Sequence, residues 1–283
     1  MTQEFSPFDK QSVAASFSKA AVHYDEFAFV QREIGDRLIE RLPFMKVSPK
    51  IVVDVGCGTG HFTRQLKQRY KKSKVFGCDI AGGMIQQAKS QQGWFNRIDY
   101  QVADMDWLPF ADKSVDLIFS NLAVQWSVNP KHTFNELCRI LKPGGLLLFS
   151  TLGPDTLIEL KQAWSSVDEH THVNNFLDMH DVGDFLIGSG LYDPVMDMEK
   201  LTFEYQSLKG LMKDLKGIGA HNLNHDRSRG LMTRSKWQTL ENAYSAMKTK
   251  GGDYPATYEA VYGLAWGTEN KKSMTSDVYK VSL

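Results

Sequence analysis

The chain has 283 residues, 42% of them apolar, enough to bury a full core, and one domain with a modest insertion is expected rather than two equal ones. Its 33 basic and 33 acidic residues cancel, which excludes nucleic-acid or membrane-surface binding driven by bulk positive charge; any charged partner must be met by a local patch. Cys57, Cys78 and Cys138 are odd in number and lack CxxC spacing, so neither a disulfide framework nor a metal site is expected, and a reducing cytoplasm is the simplest location.

The opening segment mixes Glu4, Asp9, Lys10, Lys19, Asp25 and Glu26 with apolar positions, so no signal-peptide core is expected, and no apolar run reaches membrane-spanning length. Val13, Phe17, Ala20, Tyr24 and Phe27 recur at three- and four-residue spacing and predict one amphipathic helix; Ile34, Leu38 and Leu42 predict a second. Ile51 to Val55 is a short β-branched run ending in glycines, the pattern of a buried strand. Strands and helices then alternate. Phe62, Leu66 and Tyr70 face a helix, Lys74 to Cys78 reads as a strand, and Met84, Ile85 and Ala88 belong to a helix. Further strands are expected at Ile98 to Val102, Val115 to Ser120 and Leu146 to Ser150, with a helix from Phe134 to Leu141 ending at Pro143-Gly144-Gly145. Such alternation specifies a doubly wound, mostly parallel α/β sheet covered by helices on both faces.

Beyond Thr151 the pattern loosens. Helices are expected at Pro154 to Trp164 and Met179 to Ile187, and an interrupted strand at Pro194 to Tyr205. Leu208 to Ile218 and Ser235 to Met247 follow as helices around a polar loop, and Ala256 to Trp266 alternates as the last strand. The expected organisation is therefore N-terminal helices over 1–44, a core over 45–205 and 254–267, and a helical cap over 206–253.

Asp54-Val55-Gly56-Cys57-Gly58-Thr59-Gly60 lies between a strand and a helix, where a doubly wound fold opens a crevice for its ligand. Glycines there let the backbone turn sharply and let a ligand approach without meeting a Cβ. A dinucleotide fingerprint requires Gly or Ala at the sixth position counted from Gly56, but His61 stands there, which weakens a nicotinamide reading. Asp54 would also face a pyrophosphate badly, whereas it suits a cationic amine, directly or through water.

The run Val53 to Gly60 resembles the first motif of class I S-adenosylmethionine methyltransferases, and the resemblance continues along the chain. It implies a seven-stranded, Rossmann-like sheet and S-adenosylmethionine as cofactor. Asp54, Gly56, Cys57, Gly58 and Gly60 are then cofactor-binding. Asp79, 19 residues beyond Gly60, would take the ribose hydroxyls, with Ile80 beside it and Met84 as ribose wall or plain core. Asp104 would contact the adenine amine, Met105 would pack on the ring, and Asn121 would stand beside the methionine moiety.

The segments Ala15–Asp25, Thr151–Leu157, Asp178–Asp184, Leu215–Asn222 and Tyr254–Tyr258 are similar to the malonyl-acyl-carrier-protein O-methyltransferases of biotin synthesis. That resemblance implies methylation of the free malonyl carboxylate, with an acidic acyl-carrier protein as partner. A carboxylate is already ionised at neutral pH, so no general base is expected. Tyr24 is the candidate lid residue, or else packs at its helical spacing. His221, Asn222, Arg227 and Arg229 in the cap are candidate clamps for the acceptor, or else a solvated loop. Lys209, Lys213, Lys216, Arg234 and Lys236 are the candidate basic patch. A quinone-type methyltransferase and a non-methylating respiratory-complex assembly factor share the core and are the alternatives.

Overall fold

Residues 9–93, 97–219 and 232–269 are described by a computed structural model. The β-branched and aromatic runs form strands β1 (Ile51–Val55), β2 (Lys74–Asp79), β3 (Asp99–Val102), β4 (Val115–Asn121), β5 (Leu141–Leu152), β6 (Tyr192–Tyr205) and β7 (Tyr254–Trp266). They make one sheet in the order β3-β2-β1-β4-β5-β7-β6. β1 to β5 run parallel, and β7 pairs antiparallel with both β5 and β6. Strand order reverses between β1 and β4, so the crevice of this fold opens above the carboxyl ends of those two strands.

Side-chain alternation along the central strands serves two cores. Val52, Leu117 and Leu148 face one layer with Ile34, Leu38 and Leu66, whereas Val53, Ile118 and Leu147 face the other with Phe134 and Leu137. Both faces are buried, which is why these strands read as nearly continuous apolar runs. The helices are α1 (Lys10–Ala20), α2 (Tyr24–Phe27), α3 (Phe29–Ile39), α4 (His61–Arg69), α5 (Gly82–Ser90), α6 (Pro130–Ile140), α7 (Ile158–Ser165), α8 (Met179–Gly188), α9 (Leu208–Gly217) and α10 (Arg234–Ser245). Among the described residues no helix is long and apolar enough to cross a membrane.

Three expectations need correction. The single helix predicted over Val13 to Phe27 is broken: the His23 amide donates to Ala20 and the Glu26 amide to His23, closing α1 and turning the chain into α2. Lys142-Pro143-Gly144-Gly145 is not a turn ahead of the fifth strand but part of it. Its register with β4 jumps between Leu141 and Leu146, Gly144 adopts φ +71°, and the Gly144 amide bonds to Gly267 beyond β7. β6 is one strand rather than interrupted pieces. Its irregularity is confined to Tyr192–Val195, where Asp193 has φ +52° and Pro194 has no amide to donate.

Candidate active site

At the end of β1 the chain turns through Gly56, Gly58 and Gly60, with φ of +73°, +53° and +79°. The Gly56 and Cys57 amides both donate to the Cys78 carbonyl, at 2.7 and 3.0 Å, fastening the turn to the end of β2. An added Cβ at Gly56 would overlap Ala123, and one at Gly60, which caps α4, would overlap the Tyr100 hydroxyl; at Gly58 it meets no protein atom within 4 Å. Asp79 closes the arrangement. Its carboxylate accepts from the Gly58 amide at 2.9 Å and the Ala81 amide at 2.8 Å. Burial pushes the carboxyl up, and those two bonds oppose the shift.

The turn, Asp79 and Ile80 border a cleft, with Met84, Asp104, Met105 and Asn121 further round its wall. Its roof is the N-terminal segment: Lys10, Val13 and Phe17 of α1 and Tyr24 of α2 line it, and Phe17 meets Trp126 edge-on at 5.3 Å. Lys10 fastens α1 to the loop after β3. Its ammonium lies 2.6 Å from Asp104 and 2.5 Å from buried Asp106, which also accepts from Thr133. Burial alone would lower the Lys10 pKa; the two carboxylates reverse that and raise it.

A second, smaller cavity shares Tyr24, Gly56, Gly58 and Asn121 with the first, so the two meet above the glycine turn. Asp54 and Cys57 border it from the turn, His61 from α4, and Gln31 and Arg32 from α3. Asp54 is 2% exposed and accepts from the Thr63 hydroxyl at 2.5 Å. Burial pushes its carboxyl up to about 7, against the pull of that bond, and neighbouring Asp79 adds to the rise. The Gln31 Oε1 atom is buried and has no partner among the described residues. Asp54 and Gln31 thus border one space, and the Gln31 acceptor still lacks a donor. Asn121 is already committed: its amide donates to the Gln31 carbonyl at 2.9 Å and accepts from Ser150 at 2.7 Å, joining α3 to β5.

Burial raises the Cys57 thiol well above its ordinary value and pushes Cys78 up to about 12, so both stay neutral. Neither can serve as a nucleophile near pH 7. Among the described residues no cluster of His, Cys, Asp or Glu is placed to hold a metal ion.

The sequence-predicted positions that border the cavities fall in three groups. Asp79, Ile80, Met84, Asp104 and Met105 border the larger cleft, Asp54 and Cys57 the smaller, and Tyr24, Gly56, Gly58 and Asn121 both. Gly60 borders neither and packs against Tyr100. His221, Asn222, Arg227 and Arg229 lie outside the described residues. Sequence reasoning missed Lys10, Gln31 and Arg32. The pair of carboxylates at Asp104 and Asp106 was the signal for a cation such as Lys10. The basic patch also needs correction. Lys209, Lys213, Lys216 and Arg234 line an open groove between α9 and α10 with Met212 and Trp237, but Lys236 is held 2.9 Å from Asp168. The α9 segment is joined to the roof of the cleft: Lys213 sits 5.4 Å above the Phe27 ring, and the Ser16 hydroxyl donates to the Gly219 carbonyl at 2.9 Å.

Residues 53–149 match the family described as a methyltransferase domain. The chain is 47% identical to the malonyl-[acyl-carrier protein] O-methyltransferase of Gallionella capsiferriformans, with 91% of each chain covered. It is 44% identical to the protein of the same name from Legionella pneumophila, with 92% of each covered. The YcgJ protein from Bacillus subtilis shares the fold, with a TM-score of 0.59 at 16% identity over 84% of this chain and 99% of that one.

Proposed function

Because the chain belongs to the malonyl-[acyl-carrier protein] O-methyltransferase family, we propose that its cleft presents the methyl group of S-adenosylmethionine to the free carboxylate of a malonyl thioester. Esterification hides that charge, the disguise required in the early, pimeloyl-forming part of biotin synthesis. The observation that carries the site assignment is the meeting of two cavities at the glycine turn, one bordered by Asp79 and the other by buried Asp54, which has a hydrogen bond from Thr63 but no cation beside it among the described residues.

The cofactor supplies an electrophilic methyl on a cationic sulfur. Asp79 holds the ribose hydroxyls, with its orientation set by the Gly58 and Ala81 amides. Asp54 and Gln31 receive the ammonium of the methionine end, which gives Gln31 its missing donor and Asp54 a counter-charge. Asp104 faces the adenine amine, and Ile80, Met84 and Met105 supply apolar wall. The malonyl carboxylate attacks as it stands, being ionised at neutral pH, so no residue needs to remove a proton. What the chain contributes is alignment and exclusion of water, and positioning of this kind is worth about 7 to 11 kcal/mol. α1 and α2 roof the cleft, and Tyr24 stands where the cavities join, the position from which a lid residue orients an acceptor. Burial, then the Asp79 and Asp25 charges, raise the Tyr24 phenol, so it stays a neutral hydrogen-bond donor.

Protein incubated with methyl-labelled cofactor and malonyl-carrier protein should yield base-labile label on the malonyl group; label elsewhere, or none, overturns the assignment. Asp79→Ala should weaken S-adenosylhomocysteine binding by about 1.5 to 3 kcal/mol, a loss that calorimetry resolves. An unchanged dissociation constant in the folded variant removes Asp79 from the site.

Residues 206–253 we read as the acceptor-side cap, whose basic groove meets the acidic carrier protein. Exposed charges of this kind raise association rate more than stability and are screened over roughly 8 Å at physiological salt. Lys213→Glu with Lys216→Glu should therefore raise KM for malonyl-carrier protein steeply at low salt and leave malonyl-coenzyme A little changed. Equal use of carrier-bound substrate by variant and wild type would reduce the groove to a solvated face.

A further inference from the structure

The smaller cavity holds a cation that the assignments above leave without a task. Arg32 borders it from α3, half-buried, facing the same space as Asp54. Other arginines around the site are engaged. Arg37 pairs with Glu33 and Glu199, Arg41 with Asp197, and Arg64 donates to the Thr59 carbonyl and to Gln91. Among the described residues no carboxylate lies within ion-pair distance of Arg32. Asp25 borders the cavity too, but its oxygens accept from Thr59 at 2.7 Å and Gln91 at 2.9 Å.

A half-buried guanidinium without a counter-ion is partly desolvated at a cost, and a bound carboxylate relieves that cost. The planar fork of Arg suits a carboxylate better than the point charge of Lys. His61 beside it does not compete for the role. Burial lowers its pKa, and the Arg64 and Arg32 charges lower it further, while Asp36 opposes them. The charge of Arg32 also reaches Tyr24, at the junction where acceptor and cofactor must meet.

We propose that Arg32 is a carboxylate seat, which receives a carboxylate from one of the two reactants in the cleft: the α-carboxylate at the cofactor's methionine end or the free carboxylate of the malonyl group. The proposal rests on the methyltransferase reading. In the first case Arg32 and Asp54 form a pair of opposite charges complementary to an amino-acid zwitterion; in the second Arg32 selects acceptors that still carry a negative end.

The test compares wild type, Arg32→Met and Arg32→Lys, with melting curves and circular dichroism as the check on folding. Met preserves the aliphatic stem and helix propensity of an arginine that has no ion-pair partner among the described residues to lose. Each protein is titrated with S-adenosylhomocysteine and with methylthioadenosine, which lacks the amino-acid end, and KM is measured for malonyl-coenzyme A. If the seat is the cofactor's, Arg32→Met loses roughly 10- to 150-fold in S-adenosylhomocysteine affinity and keeps its methylthioadenosine affinity. If it is the acceptor's, both nucleosides bind as in wild type and KM rises by a similar factor. Arg32→Lys recovers part of either loss. A folded Arg32→Met protein with unchanged affinities and unchanged KM overturns the proposal. Wild-type protein that binds neither nucleoside overturns the methyltransferase reading, and the seat with it.

Discussion

Gly58→Val is expected to abolish measurable S-adenosylhomocysteine binding while leaving the sheet folded. All three glycines of the turn have positive φ, but only Gly58 is unobstructed. At Gly56 a side chain would run into Ala123 and at Gly60 into Tyr100, so those two are glycine for packing as well as for backbone geometry. Gly58 borders both cavities with no protein atom within 4 Å of an added Cβ, so a side chain there occupies cleft rather than core. The left-handed backbone penalises Val by about 1 to 2 kcal/mol, tolerable for a domain of this size. Overfilling the junction of the cavities costs the ligand at least about 3 kcal/mol more, a hundredfold or greater loss of affinity. Gly56→Val is the control and should lower the melting temperature, because its clash is with the protein itself. Normal calorimetric binding by folded Gly58→Val would place the cofactor elsewhere.

The features legible in the sequence are those set by local chemistry. Ile51 to Val55 could only be a buried strand, and the glycines after it could only be a turn, because both signals come from residues adjacent in the chain. The edges of the sheet misled for the opposite reason. Lys142 to Gly145 joins β5 because Gly267, more than a hundred residues away, supplies the acceptor for Gly144. Lys236 leaves the basic patch because Asp168 on a distant loop takes its charge. Arg32 and Gln31 stayed hidden within a helix whose apolar positions Ile34 and Leu38 mark its core face. Periodicity reports which face of α3 is buried but not that its flank borders a cavity. The position of Lys10 became meaningful only once α1 was seen to roof the cleft above Asp104 and Asp106.

Asp54→Asn is expected to stabilise the cofactor-free protein near and above neutral pH and to remove much of the pH dependence of cofactor binding. Burial raises the Asp54 carboxyl from 3.8 to about 7, with the Thr63 hydrogen bond opposing and Asp79 reinforcing. Between those values the folded protein keeps a proton that the unfolded chain has released. Stability therefore falls as pH rises through that window, by on the order of 4 kcal/mol, and the loss is complete above the folded value. Asn removes the buried charge and can still accept from Thr63, so its melting temperature should exceed that of wild type at about pH 8. Binding runs the other way. The ligand's ammonium pairs with Asp54 only when the carboxyl is ionised, so wild-type affinity for S-adenosylhomocysteine should rise about tenfold per pH unit below 7 and level off above it. In Asp54→Asn that rise should vanish and affinity should stay near the acid limit, with any residual slope belonging to Asp79, whose carboxyl is also raised by burial. Paired calorimetry and melting curves across this pH range test both halves together. A variant less stable than wild type at pH 8, or a flat wild-type binding profile, would show that Asp54 is not a buried charge awaiting the cofactor.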